Sequence, residues 1–130
     1  MAARKTAVTW RSGLEDKVAA DLTERGVGYR YEEVKLPYVQ PETSHKYTPD
    51  FLLPNGIYVE TKGIFAIEDR KKHLLIKEQY PGLDIRFVFS RSKAPIRKGS
   101  KTTYADWCEK NGFQYADKLI PKSWTDEPAH

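Results

Sequence analysis

The segment from Asp50 to Lys62 constrains this chain more than any other part of its 130 residues. An apolar stretch and a β-branched, aromatic stretch flank the turn residues 54–56, a pattern typical of a β-hairpin. Closing that hairpin brings Asp50, near its start, beside Glu60, near its end. Glu60 and Lys62 lie two positions apart on one strand and therefore share a face. The sequence predicts that two carboxylates and an amine converge on one point.

These groups are suited to holding Mg²⁺ against a phosphate and positioning a water molecule for attack. Each also has a plainer interpretation. Asp50 follows a proline and could be a turn residue only, and Glu60 with Lys62 could be a solvated ion pair. The apolar residues between the two acids predict a largely buried hairpin, where unpaired carboxylates are costly. Burial therefore favours the functional interpretation.

Composition indicates one globular domain. Hydrophobic residues make up 39% of the chain and charged residues 31%, which is ordinary for a folded protein. No apolar run approaches the roughly 20 residues needed to span a bilayer. The basic N-terminal residues are not followed by an apolar segment, so we expect no secretory signal.

Cys108 is the single cysteine, which excludes an internal disulfide and a thiolate zinc cluster. We therefore expect a reducing, cytoplasmic setting, and we place Cys108 in the core rather than in a reactive site.

Basic residues are concentrated in one loop. The formal net charge is +4 and the sequence pI is about 9.1, which is compatible with nucleic-acid binding without being diagnostic of it. Between residues 90 and 104 there is no acidic residue, and the basic ones are Arg91, Lys93, Arg97, Lys98 and Lys101. The residues alone leave two alternatives, a phosphate-binding loop and a solvated loop.

Hydrophobic periodicity predicts the remaining elements. Helices are expected at 13–25, at 67–79, and from Thr102 or Thr103 to about Gly112. Strands are expected at 27–34, 83–89 and 113–116, with an extended, irregular connector at 37–46 and an irregular docked tail from 120. In the second helix Ile67, Leu74, Leu75 and Gln79 form the periodic stripe, and Arg70, Lys71 and Lys72 occupy the other face. The order αβββαβαβ predicts an α+β domain with helices flanking a central sheet.

Five motifs carry a resemblance to a known family. Residues 10–18, 47–56, 59–63, 70–76 and 116–121 resemble phage endonuclease I, the Holliday-junction-resolving enzymes of T-odd phages. That family belongs to the restriction-enzyme-like PD-(D/E)XK nuclease superfamily, and the resemblance extends from about residue 10 to 124. It implies a single nuclease domain over 1–130, built on a central mixed β-sheet flanked by helices, in an intertwined homodimer. The implied activity is metal-dependent hydrolysis of phosphodiesters in four-way junctions and other branched DNA, leaving 5′-phosphates.

The resemblance also implies roles for individual residues. Two Mg²⁺ ions per site, replaceable by Mn²⁺, would share Asp50. Glu60 and the Thr61 carbonyl would complete one ion site, and Glu15 would complete the other. Lys62 would sit beside the attacking water. On the residues alone, Glu15 is better explained as a helix-capping partner of Ser12, and only the resemblance favours a metal role.

In the family, the Glu15-type residue comes from one chain and the hairpin residues from its partner. Residues 37–46 are then the inter-subunit bridge, the alternative being an ordinary long loop. Arg30 stands where the family has an acidic residue, so no site role is assigned to it. The chain stops at His130 without the basic C-terminal segment typical of the family, from which we expect weaker DNA affinity rather than altered chemistry.

The expected partners are branched DNA and a second copy of the chain, with no membrane and no small-molecule substrate. DNA would be recognised by shape and phosphates. The candidate contacts are Arg70, Lys71, Lys72, Arg91, Lys93, Arg97, Lys98 and Lys101. For residues 70–72 the alternative is a solvated helix face. Two competing classes are a non-catalytic junction-binding module, which does not need the two acids and the lysine together, and a sequence-specific restriction nuclease, for whose base-reading insertion 130 residues leave no room.

Overall fold

A computed structural model describes residues 13–40 and 43–129 of the chain. The first helix, α1, spans Gly13–Glu24 and buries Val18, Ala19 and Leu22 on one face. It ends at Gly26, whose φ of 71° allows the left-handed turn that terminates a helix. The prediction of this helix is confirmed. The capping role predicted for Ser12 lies outside the described residues.

The hairpin is confirmed. Strand β4 (Phe51–Leu52) pairs antiparallel with β5 (Tyr58–Lys62), with Phe51 opposite Val59. The connecting turn is closed by a hydrogen bond from the Leu53 amide to the Ile57 carbonyl (2.9 Å), and Gly56 adopts a φ of 93°. This positive φ explains why the turn requires glycine.

Strand β1 is shorter than predicted. It comprises only Arg30–Tyr31, which pair antiparallel with β4, whereas alternation predicted a strand over 27–34. The physical reason is local: Glu32 has a φ of 51°, which turns the chain out of the sheet directly after Tyr31.

The central sheet has five strands in the order β1-β4-β5-β6-β7, where β6 is Ile85–Phe89 and β7 is Tyr115–Asp117. β5, β6 and β7 run parallel, and β1, β4 and β5 run antiparallel. Helix α2 (Ile67–Gln79) makes the crossover between β5 and β6. All five residues of β6 are buried, as its apolar sequence predicts. The α+β fold class with a helix-flanked mixed sheet is confirmed.

The connector at 37–46 is not irregular. It forms β2 (Leu36–Gln40) and β3 (Thr43–Tyr47), an antiparallel pair separate from the central sheet. Leu36 pairs with Tyr47, so the segment folds back on itself within one chain. Both strands of a two-stranded sheet are edge strands, and edge strands tolerate Pro37. Residues 41 and 42 of the predicted bridge lie outside the described residues.

Helix α2 has the predicted bounds but a different buried face. Arg70, His73 and Ile76 are buried, whereas Ile67 is 50% exposed and Leu74 is 40% exposed. The predicted placement of Arg70 on the exposed polar face and of Leu74 on the buried face is therefore wrong. Apolar and charged residues occur on more than one face of α2, so the surface against which the helix packs determines which face is buried.

The C-terminal third follows the prediction with small shifts. Thr103 caps α3 (Tyr104–Asn111) through a capping box, and Gly112, with φ 77°, ends it. Cys108 is buried in the core, as predicted, and burial raises the pKa of its thiol to about 12. The strand predicted at 113–116 is displaced to β7. The tail docks through buried Trp124, as predicted, but includes the short helix α4 (Lys122–Asp126).

The two faces of the sheet carry separate cores. Val59 and Val88 pack with α1 and α4, whereas Phe87 and Phe89 pack with α2 and α3. Alternation along β5 therefore directs Glu60 toward α2, where Lys62 also lies. The described part of the chain holds no helix with the length and apolar character needed to cross a membrane.

Candidate active site

Asp50 is a buried carboxylate at the start of the hairpin, with 7% of its surface exposed. Its Oδ2 accepts two hydrogen bonds of 2.9 Å from Thr61, one from the amide and one from the hydroxyl. Burial raises the pKa of Asp50, while the bonds from Thr61 and the charge of Lys62 oppose that rise. The hairpin thus holds this carboxylate rigidly in a setting where its charge is costly.

Glu60 lies directly beside Asp50, as predicted, and is 3% exposed. Its Oε2 accepts from the Asp50 amide (3.1 Å) and from the Tyr47 hydroxyl (2.8 Å). Burial, and then the charge of Asp50, raise the pKa of Glu60 to about 8, with Lys62 acting in the opposite direction. Two neighbouring buried acids whose proton affinities are both raised are well placed to gain from a cation.

Glu15 reaches the same place from α1. It is buried, and the Tyr31 hydroxyl donates a hydrogen bond to its Oε2. Glu15, Glu32 and Asp50 each offer a carboxylate oxygen, and these three oxygens lie within 4.8 Å of one another. The structure therefore brings Glu15 and Asp50 together within a single chain.

Glu32 is a member of this cluster that the sequence did not identify. The sequence predicted only a strand over residues 27–34 here, but that strand ends at Tyr31, and Glu32 has a positive φ. Its amide donates to the Asp50 carbonyl (3.2 Å), which joins the end of β1 to the start of the hairpin. A non-glycine residue in this conformation is uncommon and is often found at functional sites. No periodic pattern could have indicated it, because the signal is a backbone angle.

Lys62 extends from the end of β5 toward α2. Its Nζ lies 3.4 Å from Asp69 Oδ1, and its side chain is 18% exposed. Its positive charge opposes the rise in the pKa of both Asp50 and Glu60. Asp50, Glu60 and Lys62 thus act on one another electrostatically, as the convergence predicted from the hairpin requires.

His73 is a second site neighbour that the sequence did not identify. It is fully buried on α2, and its Nε2 lies 3.8 Å from Glu60 Oε1. Neither ring nitrogen has a hydrogen-bond partner among residues 13–40 and 43–129. Burial, together with the charges of Lys72 and Lys62, lowers the pKa of His73 well below its ordinary value.

The basic loop (residues 91–101) presents its charges to solvent. All five side chains singled out from the sequence are exposed: Arg91, Lys93, Arg97, Lys98 and Lys101. Asp117 of β7 holds the start of the loop in place. Its carboxylate accepts hydrogen bonds from the Ser92 amide (2.6 Å) and the Ser92 hydroxyl (2.9 Å). Its charges are therefore displayed on a well-supported segment.

The three basic residues of α2 that were singled out from the sequence differ from one another. Lys71 is exposed, and the Nζ of half-buried Lys72 lies 5.7 Å from the centre of the Tyr47 ring. Arg70 is only 8% exposed and donates to the carbonyls of Phe65 (2.8 Å) and Ile96 (3.1 Å). Because Ile96 belongs to the basic loop, Arg70 ties that loop to α2 instead of facing solvent.

The donor set suits a hard divalent cation. The cluster of Glu15, Glu32 and Asp50 offers only oxygen atoms, and Glu60 adds a carboxylate next to it. Carboxylate oxygens are the ligands that Mg²⁺ and Mn²⁺ prefer. Burial raises the pKa of both Asp50 and Glu60, so their negative charges are costly without a metal, and a bound cation would offset that cost.

This cost predicts a pH-dependent stability in the metal-free protein. The pKa of Glu60 is about 8 when folded and near 4.5 in the unfolded chain. Between those values the folded state binds more protons, so the stability contributed by this group is lost as pH rises from about 4.5 to about 8. Each unit of pKa difference is worth about 1.4 kcal/mol, so we expect Glu60→Gln to match the wild type near pH 4.5 and to exceed it above pH 8 by up to about 5 kcal/mol.

Thermal unfolding in EDTA from pH 4.5 to 9 measures this difference. Glu68→Gln, a change at an exposed carboxylate on α2, is the matched control and should follow the wild type at every pH. A Glu60→Gln advantage that does not grow with pH would contradict the argument.

This chain is similar to known proteins along most of its length. A family model described as phage endonuclease I matches residues 1–130. Endonuclease I of Escherichia phage T7 is 60% identical over 119 residues, which cover 92% of this chain and 80% of that protein. Endodeoxyribonuclease 1 of Enterobacteria phage T3 is 59% identical over 119 residues, covering 92% of this chain and 78% of that protein. The family match includes every residue of the site described above.

Proposed function

The chain belongs to the phage endonuclease I family, and from that premise we propose that it is a metal-dependent endodeoxyribonuclease that cuts four-way junctions and other branched DNA. The observation that carries the proposal is the convergence of Asp50, Glu60 and Lys62 at the hairpin. The Asp50 amide donates a 3.1 Å hydrogen bond to the Glu60 carboxylate, and the positive charge of Lys62 acts on both acids. Burial of two acids has a destabilising effect that a merely structural hairpin would not retain.

The residues that would hold Mg²⁺, two ions per site, are Glu15, Asp50, Glu60 and the Thr61 carbonyl. Their proximity supports adding Glu32 to this set. When bound, such ions lower the pKa of a water molecule and stabilise negative charge on a departing oxygen. Mn²⁺, which accepts the same oxygen ligands, is expected to substitute.

The chain's own residues would supply position and charge. The bonds from Thr61 to Asp50, and from Tyr47 to Glu60, hold both carboxylates in fixed orientations. Lys62, held by Asp69, would orient the attacking water and offset charge on the phosphoryl oxygens. Hydrolysis adds water across the P–O3′ bond and leaves a 5′-phosphate and a 3′-hydroxyl.

DNA recognition would rest on phosphates and on the shape of the branch. The exposed charges of the basic loop, together with Lys71 and Lys72 of α2, form the proposed contact surface. Arg70 is not part of it, because its guanidinium donates to main-chain carbonyls. Its proposed role is to fix the position of the basic loop relative to α2, and therefore relative to Lys62.

We further propose a homodimer in which the β2–β3 segment is the bridge between subunits. In one chain this segment is a hairpin that joins the part carrying Glu15 to the part carrying Asp50. Opening it would let α1 and β1 dock against β4 of a second copy through the same pairing that they make within one chain. Two sites related by a two-fold axis suit a four-way junction, whose strands exchange with approximate two-fold symmetry.

A cleavage assay tests the proposed function. A labelled four-way junction and a linear duplex of the same arm sequence are incubated with the protein in Mg²⁺ or in EDTA. We expect paired cuts in the junction, little cutting of the duplex and no cutting in EDTA. Junction binding without cutting in Mg²⁺ or Mn²⁺ would support a non-catalytic binding module instead. Equal cutting of both substrates would contradict branch selectivity.

Mixed dimers test the bridge. Co-expressed Glu15→Ala and Asp50→Ala chains should form dimers with one intact site if each site takes Glu15 from one subunit and Asp50 from the other. We expect such dimers to nick junctions, while each variant homodimer is inactive. Self-contained subunits predict no activity in the mixture, because neither subunit then holds both residues. Purification through two different tags isolates the mixed species.

A further inference from the structure

We propose that His73 is a positioning residue for Glu60, in which an imidazole N–H orients the carboxylate when that carboxylate binds a cation. This inference deepens the proposed function and rests on it. It concerns a residue that makes no contact with substrate and is identified only by its place in the packed structure.

The first support is the burial of His73 without polar partners. The residue has no exposed surface, and within the described ranges neither Nδ1 nor Nε2 takes part in a hydrogen bond. A buried polar group without a partner costs free energy, so it needs an explanation. Packing alone does not supply one, because an apolar side chain of similar size would fill the same volume without that cost.

The second support is that aromatic rings surround His73. Two of them lie nearly perpendicular to its ring, with centroid distances of 4.8 Å to Phe87 and 5.2 Å to Tyr47. The centroid of a third, Phe65, lies 6.4 Å away. This cage directs Nε2 toward Glu60, the carboxylate whose Oε1 lies 3.8 Å from it.

The third support is that the two carboxylate oxygens of Glu60 have different neighbours. Both described donors to this carboxylate, the Tyr47 hydroxyl and the Asp50 amide, bond to Oε2. Oε1 faces His73, and the 3.8 Å separation exceeds the upper limit of N–H···O bonds, about 3.2 Å, by about 0.6 Å. An imidazole ring carries at least one N–H donor, which can serve Oε1 as Tyr47 serves Oε2. Groups that orient a metal-ligating carboxylate in this way strengthen metal binding.

Two classes of substitution separate this role from core packing. His73→Gln keeps a donor near the position of Nε2, whereas His73→Leu removes every polar atom, and His73→Phe is the second apolar variant should His73→Leu fail to fold. Mn²⁺ affinity of the metal-free protein is measured by titration calorimetry without DNA, and stability is measured by thermal unfolding in EDTA.

We expect His73→Leu to bind Mn²⁺ about tenfold more weakly than the wild type, and His73→Gln to stay within about threefold of it. In EDTA the ranking of the variants by thermal stability should differ from their ranking by Mn²⁺ affinity, because Leu suits the apolar surroundings of His73 better than Gln does. Mn²⁺ affinity unchanged in the apolar variant, or lost equally in both variants, would overturn the proposal.

The wild type and Glu60→Gln separate this failure from failure of the proposed function. If the wild type does not bind Mn²⁺, or if Glu60→Gln binds it as tightly as the wild type, the metal site itself is wrong, and the role of His73 fails with it. If the wild type binds Mn²⁺ and Glu60→Gln does not, while His73→Leu and His73→Gln bind Mn²⁺ with equal affinity, only the positioning role of His73 is overturned.

Discussion

Glu60→Gln is expected to lower the rate of junction cleavage by about 10³-fold or more while junction affinity changes by less than about threefold. If Glu60 holds the metal as proposed, loss of its charge removes several kcal/mol of transition-state stabilisation, and about 4 kcal/mol corresponds to 10³ in rate. The glutamine oxygen can still accept from Tyr47 and from the Asp50 amide, so the hairpin should keep its shape. DNA affinity should persist because the proposed phosphate contacts lie on the basic loop and α2.

Single-turnover cleavage of a labelled junction at saturating protein gives the rate, and a gel-shift titration in Ca²⁺ gives the affinity. Glu68→Gln changes an exposed carboxylate on α2 and should leave both values unchanged. Glu60→Gln that still cuts at more than about a tenth of the wild-type rate would remove Glu60 from the catalytic set. Loss of binding with loss of cutting would point to a structural role.

Lys62→Met is expected to lower cleavage by about 10²-fold or more without weakening Mn²⁺ binding. General acid–base and charge-stabilising groups typically contribute 10²–10⁴ in rate. Lys62 is not among the proposed ligands, and its positive charge beside Asp50 and Glu60 would oppose the approach of a cation. Its removal should therefore separate cation affinity from turnover, in contrast to Glu60→Gln, which should reduce both.

Calorimetric Mn²⁺ titration and single-turnover cleavage, performed on the same preparation, measure the two effects. Lys110→Met removes an exposed lysine in the last turn of α3 and serves as the matched control. A Lys62→Met protein with near-wild-type cleavage would show that the lysine merely pairs with Asp69, to which it lies 3.4 Å away. Weakened Mn²⁺ binding would instead indicate that Lys62 helps to hold the metal-binding side chains in position.

Local sequence signals predicted those parts of the site that depend on short-range geometry. Asp50 and Glu60 are adjacent because a tight turn at Gly56 closes the hairpin, and turn chemistry is readable from a few residues. The bounds of α2 and the capping box at Thr103 followed for the same reason. The exposure of the basic loop followed from its density of like charge.

Other features depended on contacts between distant segments. Arg70 and His73 are buried because α2 packs that face against the sheet and the basic loop, and its periodicity fitted a second face equally well. The connector pairs with itself as β2 and β3, although two prolines and several polar residues suggested irregular structure. Whether the bridge also exchanges between subunits is a question for the mixed-dimer experiment.

The order of residues along this chain determined the hairpin, its two acids and its lysine, because each of these follows from turn chemistry and strand alternation over about a dozen positions. Only the tertiary structure decided that Glu32 joins Asp50, that Glu15 reaches Asp50 within one chain, and that His73 faces Glu60. Those placements arise where α1, the end of β1 and α2 pack on opposite sides of the hairpin, and packing between distant elements leaves no local periodic trace in the sequence.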